Sequence, residues 1–153
     1  SHPDWILAID ADEIFEERMG HEVRALINQT EYEAIEFRLF DFWGDRTHVR
    51  VDGGWNPWAK AVRMLFRYES SRAYSWPDKP FHCGRIPVEV RGPLPVYQSD
   101  IRVKHYGWAD PADIRRKALR YRERDDSAHL RSVWDPPEKV RLERWIEGKR
   151  LPF

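Results

Sequence analysis

Asp10 and Asp12 stand one residue apart at the end of the apolar run Trp5, Ile6, Leu7, Ala8, Ile9. Two carboxylates placed where a chain leaves a sheet both reach a divalent cation, and hard oxygen donors select Mg²⁺ or Mn²⁺ over softer metals. The same residues also read as two solvated acids in a strand-to-helix turn, with Asp12 or Glu13 capping the helix. Other acidic motifs fail on the page. An EF-hand loop would need Gly at Phe15 and Glu at His21. His21 and Glu22 open like a zinc-protease HExxH, but Ala25 stands at the place of the second His. A DxD phosphohydrolase would carry Thr or Val at Ile14 and a later Lys with paired acids, and neither is present.

The elements expected to carry these residues follow from periodicity. Residues 5–9 read as a buried strand ending in the carboxylates. Residues 13–29 read as two helical pieces broken at Gly20, the second over 21–28. Residues 32–43 alternate, with Ala34, Glu36, Arg38, Phe40 and Phe42 on one face and Ile35, Phe37, Leu39 and Asp41 on the other, which predicts a strand. Further strands are expected at 48–51, 61–68 and 101–106, the last ending at Gly107. Residues 74–95 hold five prolines and should wind irregularly. Asp110 followed by Pro111 and Asp113 starts a helix to about residue 125, and a second helix is expected after Pro136 and Pro137 up to about 147.

With 153 residues, 41% apolar and 34% charged, the chain suits a single α/β domain over 1–153 and is too rich in packing material for disorder. No apolar run approaches a membrane span and no signal-peptide layout is visible, so a cytoplasmic location is expected. One cysteine, Cys83, excludes a disulfide framework or a multi-cysteine zinc site. Zero net charge hides asymmetry: residues 1–36 carry ten acids against two bases, whereas residues 102–150 carry fourteen bases against nine acids. The acidic head suits a cation and the basic tail an anion, and a nucleic-acid partner is disfavoured for a chain without net positive charge.

Residues 5–16 (WILAIDADEIFE), 63–68 (RMLFRY), 81–87 (FHCGRIP), 103–108 (VKHYGW) and 117–121 (KALRY) together resemble family 2 glycosyltransferases of the GT-A fold. The resemblance implies a partial GT-A fold, a mixed sheet with flanking helices that lacks the N-terminal nucleotide-binding strands. It implies transfer of a sugar from a nucleotide-diphosphate donor to a carbohydrate or lipid-linked hydroxyl acceptor, with inversion and with Mn²⁺ or Mg²⁺. Carried over, Asp12 corresponds to the direct metal ligand, Asp10 to a residue on ribose or metal, and His105 to the later ligand. Taken without its neighbours, His105 reads as a core histidine. Lys117 and Arg120, three residues apart, put their heads on adjacent turns and would clamp phosphate oxygens, although a solvated basic face is the ordinary reading. The acceptor base is sought among Asp78, Glu89, Asp100 and His82, with Glu89 favoured by its place after the His-containing segment. Trp55, Trp58, Trp76 and Trp108 would stack on sugars or fill the core. Because the family's base-binding strands precede the DxD strand, the chain is expected to be a fragment, inactive alone, with a sheet edge that self-association would cover. A carbohydrate-binding or assembly module without catalysis is the alternative, and a DxD phosphohydrolase a poorer one.

Overall fold

The alternating apolar residues of the central segment do build the organising strand. A computed structural model describes residues 2–78, 84–123 and 140–150. Its strands are β1 (Trp5–Leu7), β2 (Glu13–Phe15), β3 (Ala34–Trp43), β4 (His48–Arg50), β5 (Ala61–Arg67), β6 (Val96–Trp108) and β7 (Leu142–Arg144), and its helices are α1 (Met19–Ile27) and α2 (Pro111–Glu123). The seven strands form one mixed sheet, and with the helices they make an α/β fold.

β3 lies at its centre. One edge of β3 pairs antiparallel with β5 through residues 34–38 and then with β4 at Phe42, while the other edge runs parallel to β6 from Ala34 opposite Val96 to Trp43 opposite Trp108. β1 lies outside β5, β7 outside β4, and β2 outside β6, all antiparallel.

The two faces of β3 bury different clusters, as strand alternation requires. Ile35, Phe37 and Leu39 pack with Met64, Leu65, Ile101 and Val103 beneath Met19 and Leu26 of α1. Phe40 and Phe42 pack on the opposite side with Val49, Val51 and Ala109, backed by Trp145. A fully buried Glu16 ties β2 to β6: it accepts from the Arg102 backbone N–H at 2.9 Å and from the Arg102 guanidinium at 2.8 and 3.1 Å, while Arg18 Nε donates to it at 2.7 Å. Arg102 also lies 3.9 Å from the Trp145 ring centroid and donates to the Ile146 carbonyl at 2.7 Å, so the same cation pins the 140–150 segment. Burial would raise the Glu147 carboxyl, but hydrogen bonds from Trp145, the Glu17 backbone and Lys104 hold it below its ordinary value.

Several expected elements take a different form. β1 is an edge strand whose Leu7 is exposed, as is Ile9 beyond it, while Trp5, Ile6 and Ala8 are half-buried against the core, so the apolar run is only partly buried. The helix expected over 21–28 forms as α1, which starts at Met19 beside Gly20, whereas residues 13–15 are a strand instead of a first helical piece. This removes the helix-cap reading of Asp12 and Glu13: hydrogen bonding to β6 overrides local helix signals there. β6 continues through Gly107 to Trp108, because β3 supplies a partner along the whole length. Residues 142–144 are a strand instead of part of a helix, recruited by the open edge of β4. The Pro136–Pro137 start of that helix lies outside the described residues. At α2 the sequence reading holds: the Asp110 carboxylate accepts the Ala112 N–H at 2.7 Å and Pro111 opens the helix. No described helix is long and apolar enough to cross a membrane.

Candidate functional site

Strand register assembles the site. In the β2·β6 ladder Glu13 is opposite His105, and in the β6·β3 ladder His105 is opposite Asp41. Directly paired residues on neighbouring strands share a face, so three strands contribute one row, Glu13, His105, Asp41. The turn ahead of β2 closes with the Glu13 N–H on the Asp10 carbonyl at 3.1 Å, and the Tyr106 N–H donates to the Asp12 carbonyl at 2.8 Å. That bond fixes Asp12 beside the end of β6. α2 then folds back, and Lys117 Nζ comes to 3.3 Å from Asp12 Oδ2.

His105 is held from both sides. Its Nδ1 meets Asp41 Oδ1 at 2.5 Å and its Nε2 lies 3.4 Å from Asp12 Oδ2. Asp41 is 3% exposed, so its charge depends on the imidazole as a partner. Burial lowers the His105 pKa, but the Asp41 hydrogen bond and the charges of Asp41 and Asp12 outweigh it and lift the imidazole above its ordinary value. Asp12, at the rim, is raised by burial but more strongly lowered by His105 and Lys117, and ends below the usual carboxylate range. The Asp41 bond to Nδ1 also turns Nε2 toward Asp12, as a carboxylate does behind a ligating histidine.

Gly107 makes the convergence feasible. An added Cβ there would come within 2.7 Å of Lys117 Nζ, Asp12 Oδ2 and His105 Nε2. The backbone conformation does not demand glycine at this position; the space does.

Two clefts meet at this point. One, of about 310 Å³, is lined by Asp10, Asp12, Glu13, Asp41 and His105 together with Lys60, Arg85, Leu39, Trp55 and Trp108. The other, of about 360 Å³, is lined by Arg116, Lys117 and Arg120 with Asp12, Asp113, Tyr106 and Gly107. Asp12 and Lys117 belong to both. The first cleft is rich in carboxylates, the second in cations.

No family model, curated protein or solved structure matches the chain. The chemistry of the site therefore carries the functional reading.

Of the residues singled out from sequence, Asp12, His105 and Lys117 converge, and Arg120 lines the basic cleft beside them. Asp10 lines the acidic cleft but is bound at 3.1 Å to Arg85, whose guanidinium also pairs with both oxygens of the buried Glu13. Among the described residues no three His, Cys, Asp or Glu side chains are gathered to hold a metal ion by themselves. What is present is a pair, Asp12 Oδ2 and His105 Nε2, one hard oxygen and one imidazole nitrogen, with Lys117 Nζ beside them over Gly107. That donor set fits Mn²⁺ or Mg²⁺ when ligand oxygens and water complete the shell.

Glu89 lies elsewhere. Its carboxylate accepts the Ser75 N–H at 3.0 Å and the Ser75 hydroxyl at 2.6 Å, bonds that hold it below the ordinary glutamate value, and it lines neither cleft. Asp100 pairs with Arg18 at 3.0 Å, and His82 lies outside the described residues. The tryptophans divide: Trp55 and Trp108 are buried and pack edge to face with centroids 5.1 Å apart, whereas Trp58 and Trp76 are exposed. The buried Trp55 Nε1–H has no hydrogen-bond partner among the described residues, although its ring lines the acidic cleft.

Asp41 and Arg85 were not singled out from sequence as site residues, and Glu13 was read only as a helix cap. Asp41 carried a signal, a lone acid inside Leu39, Phe40, Phe42 and Trp43 on the face that buries Ile35 and Phe37. A buried acid in a core strand requires a partner. Glu13 and Arg85 gave none, because their pairing depends on chain 72 residues apart in sequence.

Proposed function

We propose that this chain carries the metal- and acceptor-binding part of a GT-A glycosyltransferase similar to family 2, transferring a sugar from a nucleotide diphosphate to a hydroxyl acceptor with inversion. The observation that supports this reading best is the meeting of Asp12, His105 and Lys117 at Gly107, between an acidic cleft containing indole rings and a basic one. The basic cleft suits the diphosphate: Lys117 and Arg120 on successive turns of α2 offer charge-assisted donors to its oxygens. The acidic cleft suits a polyol, whose hydroxyls donate to its carboxylates. Asp12 and His105 would hold Mn²⁺ or Mg²⁺, which neutralises charge accumulating on the departing diphosphate. Asp41 fixes the His105 ring, and Arg85 keeps Asp10 and Glu13 from repelling one another. The acceptor hydroxyl would pass its proton to a carboxylate of the acidic cleft, of which Asp10 is the most exposed, as its oxygen bonds to the sugar carbon and the bond from that carbon to the diphosphate oxygen breaks.

Calorimetric titration of Mn²⁺, with and without UDP, into wild type, Asp12→Ala and His105→Ala tests this reading. Binding that needs both side chains and tightens with UDP supports it. Sugar binding that ignores metal would identify a carbohydrate-binding module instead, and release of phosphate from a simple phosphomonoester would favour the phosphohydrolase.

A further inference from the structure

Asp12 and Lys117 are the two side chains that border both clefts and also contact one another, at 3.3 Å. Their ion pair is partly solvated, with side-chain exposures of 40% for Asp12 and 22% for Lys117. Such pairs are weakly held. A lysine head is a compact charge on a flexible stem with three donors, so it changes partner without moving its helix. Lys117 has somewhere to go: its Nζ already lies 4.8 Å from the Trp108 ring centroid, and Arg116 and Arg120 on the same helix make the adjoining cleft attractive to an anion. A divalent cation on Asp12 would repel the ammonium toward that cleft, and an anion there would draw it the same way.

We propose that Lys117 is an exchanging counter-ion. It neutralises Asp12 in the unliganded chain and transfers to the ligand's phosphate oxygens when a divalent cation takes Asp12, so that cation and nucleoside diphosphate bind with positive coupling. This deepens the reading above and rests on Asp12 as a metal ligand. The coupling is reciprocal: whatever factor UDP contributes to Mn²⁺ affinity, Mn²⁺ contributes to UDP affinity.

The test is calorimetry of Mn²⁺ alone, UDP alone and Mn²⁺ in the presence of UDP, corrected for the Mn²⁺–UDP complex in solution, on wild type and Lys117→Met. Loss of the competing ammonium should tighten Mn²⁺ alone about threefold. Loss of a charge-assisted donor should weaken UDP alone about tenfold. The factor by which UDP enhances Mn²⁺ binding should shrink accordingly, while thermal unfolding stays at the wild-type midpoint. Weaker Mn²⁺ binding by Lys117→Met, or an unchanged enhancement factor, overturns the exchange and leaves the functional reading standing. A wild-type chain that takes no Mn²⁺ even with UDP overturns that reading and the exchange with it. Lys117→Gln, which keeps a polar head without the charge, gives the same comparison if the Met variant does not fold.

Discussion

Asp41→Asn removes one charge and almost no volume from the buried end of the His105 contact. In the wild type, Nδ1–H donates to a carboxylate that is 3% exposed, and the imidazole itself is 15% exposed, so neither charge is well screened. A hydrogen bond between charged partners contributes about 1.5–3 kcal/mol, and one between a neutral donor and acceptor about 0.5–1.5 kcal/mol. The pH dependence follows from the raised imidazole pKa. A group whose folded value lies above its unfolded one stabilises fully below the unfolded value and loses that contribution as pH rises through the folded value. Asp41→Asn should therefore cost about 1–1.5 kcal/mol below pH 6.5, where the imidazole is charged and the loss is the difference between a charged and a neutral hydrogen bond, and less once pH has risen through the folded imidazole value and the ring is neutral. Urea unfolding across that range measures the difference, and NMR titration of the His105 ring should show a wild-type value above 6.5 that falls in the variant. A destabilisation that is flat with pH, or larger at alkaline pH, refutes the charged contact and with it the orienting role assigned to Asp41.

Gly107→Ala should lower thermal stability modestly, since its Cβ would meet not only the flexible ends of Lys117 and Asp12 but also the ring nitrogen of His105, which Asp41 holds in place, and should abolish UDP-enhanced Mn²⁺ binding by forcing the three side chains apart; paired calorimetry and thermal melts check both halves. Glu16→Ala leaves the guanidinium of Arg102, 3% exposed, without its carboxylate and should destabilise by about 3–5 kcal/mol in urea unfolding. Because Arg102 also holds Trp145 and Ile146, proteolysis within 140–150 should accelerate in that variant.

The legible parts of the fold were those decided within a strand or at a helix cap. β3 and β5 followed from alternation and apolar content, and the start of α2 from Asp110 and Pro111, whose action is local. The illegible parts were decided by partners distant in sequence. Residues 13–15 carry acids that read as a first helical turn, but β6 offers a ladder and takes them as a strand. Residues 142–144 likewise pair with β4. The site divides on the same line. Asp10 and Asp12 are adjacent and visible, but which of them meets His105 depends on Arg85 capturing Asp10, a contact between residues 75 positions apart. Whether the tryptophans of residues 55 and 108 stack on sugars or fill the core stayed open, because local sequence says nothing of the Trp43 ring that packs against both.

The arrangement of charge in the site follows from which groups the sheet can afford to bury. Asp41 and Glu13 point to the same face as His105 and are almost fully enclosed, so each has a fixed partner, the imidazole for one and Arg85 for the other. Asp12 sits one residue beyond the ladder, at the rim, where solvent lowers the cost of leaving its oxygen exposed. The buried acids thus have structural partners that are costly to exchange, whereas Asp12 has only a solvated lysine and the outer nitrogen of a histidine already satisfied from behind. A ligand cation competes only for that last pair. On the proposed reading this is why Asp12, and not the buried Glu13 or Asp41, is the residue at which a ligand cation would act.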